Sequence, residues 1–259
     1  MTRTLDEHRA RIEEYLAALE LPNDLDGLAE AMRYSLEGGG KRIRPVLCLA
    51  IGDAAGADSE QLLPAAAAIE LVHTFSLVHD DLPALDDDDL RRGRRSTHVE
   101  WGEGIAILAG DALLAHALAL ALTYDSPAVA RELVAATLGM IGGQYLDVTD
   151  AGRDPAALNA LKTGRLFGAA VGTALTVAGV PNAEQKPWRE FGAEFGQLFQ
   201  LADDLADGDG VVLQRGERFA RELARETEGR ARAKLDEIPA DTTRLDELLS
   251  GLSTGVPAS

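Results

Sequence analysis

Cysteine is nearly missing from this chain: Cys48 stands alone among 259 residues. No disulfide can form within one copy, so a stapled secreted scaffold is excluded and a reducing cytoplasm is the expected setting. Cys48 lies in an apolar stretch and reads as a core residue rather than a nucleophile. Aromatics are scarce as well, at 5%. Ala, Leu and Val carry the apolar load, which suits closely packed helices better than a β-sandwich. Basic charge is in deficit, with 43 Asp and Glu against 25 Lys and Arg and a net charge of −18. A nucleic-acid binder needs a basic footprint, so that class is set aside. Only four of the basic residues are lysines, Lys41, Lys162, Lys186 and Lys234. Excess carboxylate with few lysines suits a high-salt cytoplasm, where screening relieves self-repulsion. The longest weakly polar stretch, 105–123, is interrupted by Gly110-Asp111 and His116, so no membrane span is expected. Residues 1–20 are charged and helical in pattern, without a signal-peptide core.

What the chain does have is apolar residues at helical spacing almost throughout, while strict strand-like alternation is absent. The spacing predicts helices near 4–20, 25–36, 43–55, 59–80, 103–123, 126–147, 155–178 and 184–206, then weaker ones at 217–236 and 242–251. Asp58 with Gln61 resembles a capping box, and Ser126-Pro127 and Asp154-Pro155 put proline at a first helical turn. No solenoid period and no low-complexity linker divides the chain. We expect one all-α domain over 1–259, a bundle of long, mostly antiparallel helices around a central cavity.

Two aspartate clusters stand out: Asp80-Asp81-Leu82-Pro83-Ala84-Leu85-Asp86, and Asp203-Asp204-Leu205-Ala206-Asp207. Each follows an apolar helical run, so each can stand at a helix end with its carboxylates projecting together; Asp203 and Asp207, four apart, share a face. Crowded carboxylates cost stability unless cations compensate. Mg²⁺ fits that role, because it takes oxygen ligands, keeps waters and is commonly completed by substrate phosphates. Two such clusters facing one another would clamp a diphosphate. The continuing run Asp87-Asp88-Asp89 reads as solvated surface.

Cations suited to phosphate accompany the clusters. Gly38-Gly39-Gly40-Lys41-Arg42-Ile43-Arg44-Pro45 joins a glycine turn to a helix entrance, where backbone can approach an anion closely. Lys41 and Arg44 lie one turn apart and can converge on one diphosphate. Arg91 and Arg92 follow the first cluster, where a second anion layer is needed, whereas Arg94 and Arg95 read as neutralising neighbouring aspartates. His73 lies seven residues before Asp80, on the same helix face, and so points at the same cavity. His79 reads as orienting carboxylates, and His8, His98 and His116 as hydrogen-bonded core histidines. Lys162-Thr163, Gln144 and Gln200 are polar groups on otherwise apolar helices that would line that cavity.

In order, GGGKRIRP (38–45), HTFSLVHDDLPALDDDDLRRG (73–93), LAGDALL (108–114), GGQYLD (142–147), KTG (162–164) and FQLADDLAD (199–207) resemble the short-chain trans-isoprenyl diphosphate synthases of the polyprenyl synthetase family. The resemblance runs to about residue 210, and the ordered set is far more specific than any one element. It implies an all-helical homodimer with a deep cavity between the aspartate motifs. It implies that Asp80, Asp86 and Asp203 hold three Mg²⁺ ions (or Mn²⁺), with Asp81 and Asp207 in support. Arg91 and Lys162 would contact the allylic diphosphate, with Thr163 and Gln200 lining its site. Lys41, Arg44, His73 and Arg92 would hold isopentenyl diphosphate. The implied catalytic set is Asp80, Asp81, Asp86, Lys162 and Asp203.

The same resemblance makes the five residues before Asp80 the end of the hydrocarbon pocket. Phe75, a bulky ring there, would stop growth near C15, and the four residues between Asp81 and Asp86 match the spacing of farnesyl and geranylgeranyl synthases. Farnesyl diphosphate is therefore the favoured product, geranylgeranyl diphosphate the next. One departure stands out: where the family has a Gly-Lys-rich loop and a further lysine, this chain reads Gly208-Asp209-Gly210-Val211-Val212-Leu213-Gln214-Arg215-Gly216. Arg215 or Arg218 is the candidate replacement, and the region after 207 reads as atypically short. Two other functions fit parts of the pattern. A class I terpene cyclase shares the fold and ionisation chemistry but needs neither the second aspartate motif nor the Lys41/Arg44 site. A non-catalytic partner subunit would account for the altered loop.

Overall fold

The fold grows around Ser59–Asp80, a helix too apolar to lie on a surface. In this computed structural model, residues 3–21, 27–149 and 164–254 are described. The helices are α1 (Leu5–Ala17), α2 (Gly27–Leu36), α3 (Ile43–Ala54), α4 (Ser59–Asp80), α5 (Thr97–Trp101), α6 (Glu103–Ala121), α7 (Ala128–Val148), α8 (Arg165–Val177), α9 (Lys186–Asp207), α10 (Gly210–Arg215), α11 (Glu217–Asp236) and α12 (Thr243–Thr254). Two two-residue strands, β1 (Leu90–Arg91) and β2 (Arg94–Arg95), form an antiparallel hairpin. The architecture is all-α, as the periodicity predicts. The hairpin, α5 and α10 were not predicted, because elements of two to six residues carry too few positions to show a period. The stretch 155–163 of one predicted helix, with Asp154-Pro155, lies outside the described residues.

α4 packs most extensively against α6 and also touches α1, α2, α3, α7 and α8. α3 is buried continuously from Pro45 to Gly52, so it is apolar on all sides. Where it crosses α4, a Cβ on Gly52 would overlap Leu62, which makes glycine the residue that permits the approach. Burying each such Leu or Ile contributes roughly 1.5–3 kcal/mol. Phe167 on α8 packs against Phe195 on α9, centroids 5.5 Å apart, and both rings are fully buried. Cys48 sits beside Thr173, Sγ to Oγ1 3.7 Å, and burial pushes its thiol up to about 12. It is an inert core residue, as expected.

The start of α4 differs from prediction. Asp58 caps it by accepting from the Glu60 backbone N–H at 3.1 Å, so the cap is a one-way Asx bond and not a capping box with Gln61. Inside α4, Pro64 removes one ladder donor. The Tyr124 hydroxyl sits at the break: it donates to the Gln61 carbonyl at 2.6 Å and accepts from the Ala65 N–H at 3.1 Å. By length and composition alone, α4 and α6 could each cross a membrane, which for α6 departs from the reading of 105–123. α4 is mostly buried in the core. α6 and α7 instead carry exposed apolar side chains, among them Ile107, Leu108, Leu138 and Ile141.

Candidate active site

Both aspartate clusters do stand at helix C-termini. Asp80 is the last residue of α4 and Asp81 its cap; Asp207 closes α9 before a left-handed Gly208. The negative end of a helix dipole is unfavourable for a carboxylate, so each cluster needs positive charge nearby. The loop after α4 folds back on itself. Asp86 N–H donates to the Asp80 carbonyl at 2.9 Å and Asp88 N–H to the Asp81 carbonyl at 3.2 Å, which returns Asp86 to the side of Asp80. The hairpin then turns through Arg92 and Gly93, both at positive φ (54° and 77°), a primed two-residue turn. Its two arginines diverge. Arg91 Nε donates to Asp81 Oδ1 at 2.8 Å and its Nη2 to Asp88 Oδ2 at 2.9 Å, so Asp88 is an ion-pair partner and not merely solvated. Burial raises the Asp81 carboxyl, and Arg91 opposes that. Arg92 reaches the Gly39 carbonyl instead.

Arg92 thereby lies flat against the glycine turn: a Cβ on Gly40 would come 2.8 Å from its guanidinium carbon, so Gly40, at φ 131°, cannot carry a side chain here. Of the three cations after that turn, the middle one serves the fold. Arg42, itself left-handed at φ 49°, is buried and donates to Glu70 (2.6 Å), Glu13 (2.8 Å) and the Leu36 carbonyl (2.6 Å). Lys41 is left exposed. Arg44 is half-buried over the rings of Phe167 and Phe199, 4.6 and 5.3 Å from their centroids, with Nη1 3.5 Å from His73 Nε2 and Nε unpartnered. Burial pushes the Arg44 guanidinium down to about 10, against the pull of Glu70 and Asp203. Burial, reinforced by Arg44 and Arg92, holds His73 well below its ordinary value, so it is neutral at pH 7. Burial likewise lowers Arg92.

In the second cluster, Asp203 and Asp204 have separate fates. Asp204 is buried and accepts from Gln200 Nε2 at 2.8 Å and from the Val211 N–H at 3.0 Å. It pins the turn into α10, and a Cβ on Gly210 would overlap its carboxylate. Gln200 is thus an anchor for Asp204, where the sequence suggested a side chain turned to the ligand. Asp203 is raised to about 6 by burial and by its acidic neighbours, with Lys41 and Arg44 opposing. Lys162 and Thr163 lie outside the described residues. In the altered loop, Arg215 stacks over Phe219 at 4.3 Å.

Other expectations shift. Arg94 stacks on Tyr34 at 4.2 Å and Arg95 pairs with Glu100 at 3.6 Å, so neither neutralises the aspartates. His79 turns its Nε2 toward α6, where it faces the Ile107 carbonyl at 3.1 Å. A cavity of about 450 Å³ is lined by Arg44, His73 and Asp80 together with Phe75, Met140, Tyr145 and Leu166. Of its α7 wall, sequence reasoning found Gln144 but missed Met140, Ile141, Tyr145 and Val148, which recur with it as one helical stripe that could have signalled them.

The donor set suits a hard cation. Asp80, Asp86, Asp203 and Asp207 offer only oxygen, and burial raises the Asp203 carboxyl, a cost to its charged form that a bound cation would offset. Among the described residues, no three His, Cys, Asp or Glu side chains are already gathered as a metal site.

Residues 26–226 match the polyprenyl synthetase family. The chain is 36% identical over 234 residues to the farnesyl diphosphate synthase of Bacillus subtilis, covering 84% of this chain and 79% of that one. It is 39% identical over 209 residues to the geranylgeranyl diphosphate synthase of Cyanophora paradoxa, covering 75% and 70%. The crystal structure of a geranyltranstransferase from Thermotoga maritima superposes with a TM-score of 0.87 at 32% identity, over 97% of this chain and 98% of that one. With its helical fold and two acidic helix ends, the chain belongs to the polyprenyl synthetase family.

Proposed function

We propose that this protein is a prenyltransferase that condenses isopentenyl diphosphate with an allylic diphosphate, head to tail, to give a short-chain trans-prenyl diphosphate. The observation that carries the reading is Arg44. It lines the same cavity as Asp80 and His73, and the nearby charge of Asp203 acts on it, which supports a cation set between the two acidic helix ends. An anionic substrate can enter so acidic a protein only where cations are concentrated. Lys41, Arg44, Arg92 and neutral His73 supply such a shelf for isopentenyl diphosphate. A second readout mode, cyclisation, is disfavoured by that shelf and by the intact second aspartate motif.

Asp80, Asp86 and Asp203, with Asp81 and Asp207 behind them, would hold the Mg²⁺ ions. Bound metal supplies Lewis acidity toward the departing diphosphate of the allylic substrate. The chain's own residues do the rest. Arg91, held by Asp81 and Asp88, would contact that leaving group, the role the family resemblance also gives to Lys162. Loss of diphosphate leaves an allylic cation, which the double bond of isopentenyl diphosphate attacks; a proton then leaves, with the released diphosphate as its acceptor. Phe75, Met140 and Leu166 line the chamber and keep water from quenching the cation to an alcohol. Phe75 is buried, with only 6% of its surface exposed, and stands where a growing chain would end. Farnesyl diphosphate is the expected product, ahead of geranylgeranyl diphosphate. A second copy covers the apolar face of α6 and α7, giving a homodimer, and the setting is cytoplasmic.

The test is to supply purified protein with Mg²⁺, labelled isopentenyl diphosphate and C5, C10 or C15 allylic starters, and to size the products. We expect C15 from the parent and longer chains from Phe75→Ala. Hydrocarbon formed from an allylic diphosphate alone would contradict the reading, and so would no turnover at all.

A further inference from the structure

None of the roles above uses the contact between Gly110 and His79. α6 passes α4 at Gly110, and a Cβ built there would overlap the His79 imidazole. His79 Nε2 lies 3.1 Å from the Ile107 carbonyl, so with that nitrogen protonated it donates into α6. Asp111 Oδ1 is 3.9 Å from the same nitrogen. On its other side the imidazole meets Phe75, edge to face, with centroids 5.4 Å apart and planes at 84°. Phe75 and His79 are one helical turn apart and both line the cavity. The Phe75 ring is therefore backed by His79, and His79 has its place because position 110 carries no side chain.

We propose that Gly110 and His79 are positioning residues for product length: the seat of the imidazole against α6 fixes where the Phe75 ring closes the hydrocarbon pocket. This rests on the reading of Phe75 as the pocket's end. A methyl group at position 110 pushes the imidazole off α6 and toward the chamber, and the pocket shortens. Removing the imidazole takes away the backing of Phe75, and the pocket deepens. Once the imidazole is gone, a methyl at 110 meets no ring and has no further effect.

The experiment measures product lengths from labelled isopentenyl diphosphate and the C5 starter for the parent and four variants. These are Phe75→Ala, Gly110→Ala, His79→Ala and the double variant Gly110→Ala/His79→Ala. The expected result is a severalfold rise in the C10 to C15 ratio for Gly110→Ala, longer chains for His79→Ala, and the same longer chains for the double variant. If Gly110→Ala does not fold, a double variant that folds and gives the His79→Ala products supports the steric link. Parent-like product ratios in Gly110→Ala, even with slower turnover, overturn the proposal while Phe75→Ala still lengthens chains. So does an equal shift from Gly110→Ala with and without His79. Unchanged products from Phe75→Ala would instead remove the reading of Phe75, and this proposal with it.

Discussion

His73 shows how far burial can redirect a titratable side chain. Its imidazole is held well below its ordinary 6.5 by burial and by Arg44 and Arg92. A folded pKa below the unfolded one means that the unfolded chain takes up the proton first. The site therefore withdraws stability as pH falls below 6.5, until the folded pKa is reached. Comparing urea unfolding of the parent and His73→Asn at about pH 7.5 and about pH 5.5, we expect the parent to lose roughly 1 kcal/mol more than the variant. Parallel losses would mean that the imidazole is not kept neutral. The candidate site was readable at this scale where chemistry and order along the chain coincide: the two aspartate motifs, Lys41, Arg44 and His73 were singled out that way, and Arg44, His73 and Asp80 line one cavity. Arg42 and Gln200 show the limit. What separates Arg42 from its neighbouring cations is Glu13 and Glu70, 29 and 28 residues away. Gln200 is bound to Asp204 one turn on, and spacing alone does not say whether an amide four residues from a carboxylate turns to it or to a ligand.

At the scale of elements, α4 depends on a residue outside itself. Pro64 opens its ladder, and the Tyr124 hydroxyl satisfies the Gln61 carbonyl and the Ala65 N–H at that break. Tyr124→Phe leaves two backbone groups with one fewer partner each, so we expect a loss of about 1–3 kcal/mol in unfolding free energy. A variant as stable as the parent would show that the ladder closes without the hydroxyl. The long helices were legible because apolar residues repeat over many turns, and their observed ends fall within a few residues of those predicted, apart from the start near 155, which lies outside the described residues. The hairpin was not. Its side chains are Leu and Arg with no apolar alternation, and its turn uses Arg92 at positive φ, a position more often filled by Gly, Asn or Asp. Yet that hairpin separates Arg91 from Arg92 and sends one to the acid cluster, the other to the glycine turn.

Across the whole molecule, the apolar faces of α6 and α7 are the surface that the fold alone does not explain. Leu108 and Leu138 are 52% and 65% exposed, beside Ile107 and Ile141. Exposed apolar side chains on two long helices suit association, and we propose that a second copy covers them. In sedimentation at micromolar concentration we expect the parent to run as a dimer and Leu138→Glu to shift toward monomer. A parent that stays monomeric would assign that face some other use. Met140, Ile141 and Tyr145 of α7 also line the cavity, so a partner seated on this face, as we propose, would lie against the chamber's wall.

Everything proposed for the chemistry depends on the two acidic helix ends acting together on a diphosphate. The most direct measurement is prenyl transfer with Mg²⁺ by Asp80→Ala and Asp203→Ala, each first shown to be folded by circular dichroism and thermal unfolding. We expect each rate to fall by at least about a hundredfold. Folded variants that turn over substrate as fast as the parent would contradict that role for the aspartates.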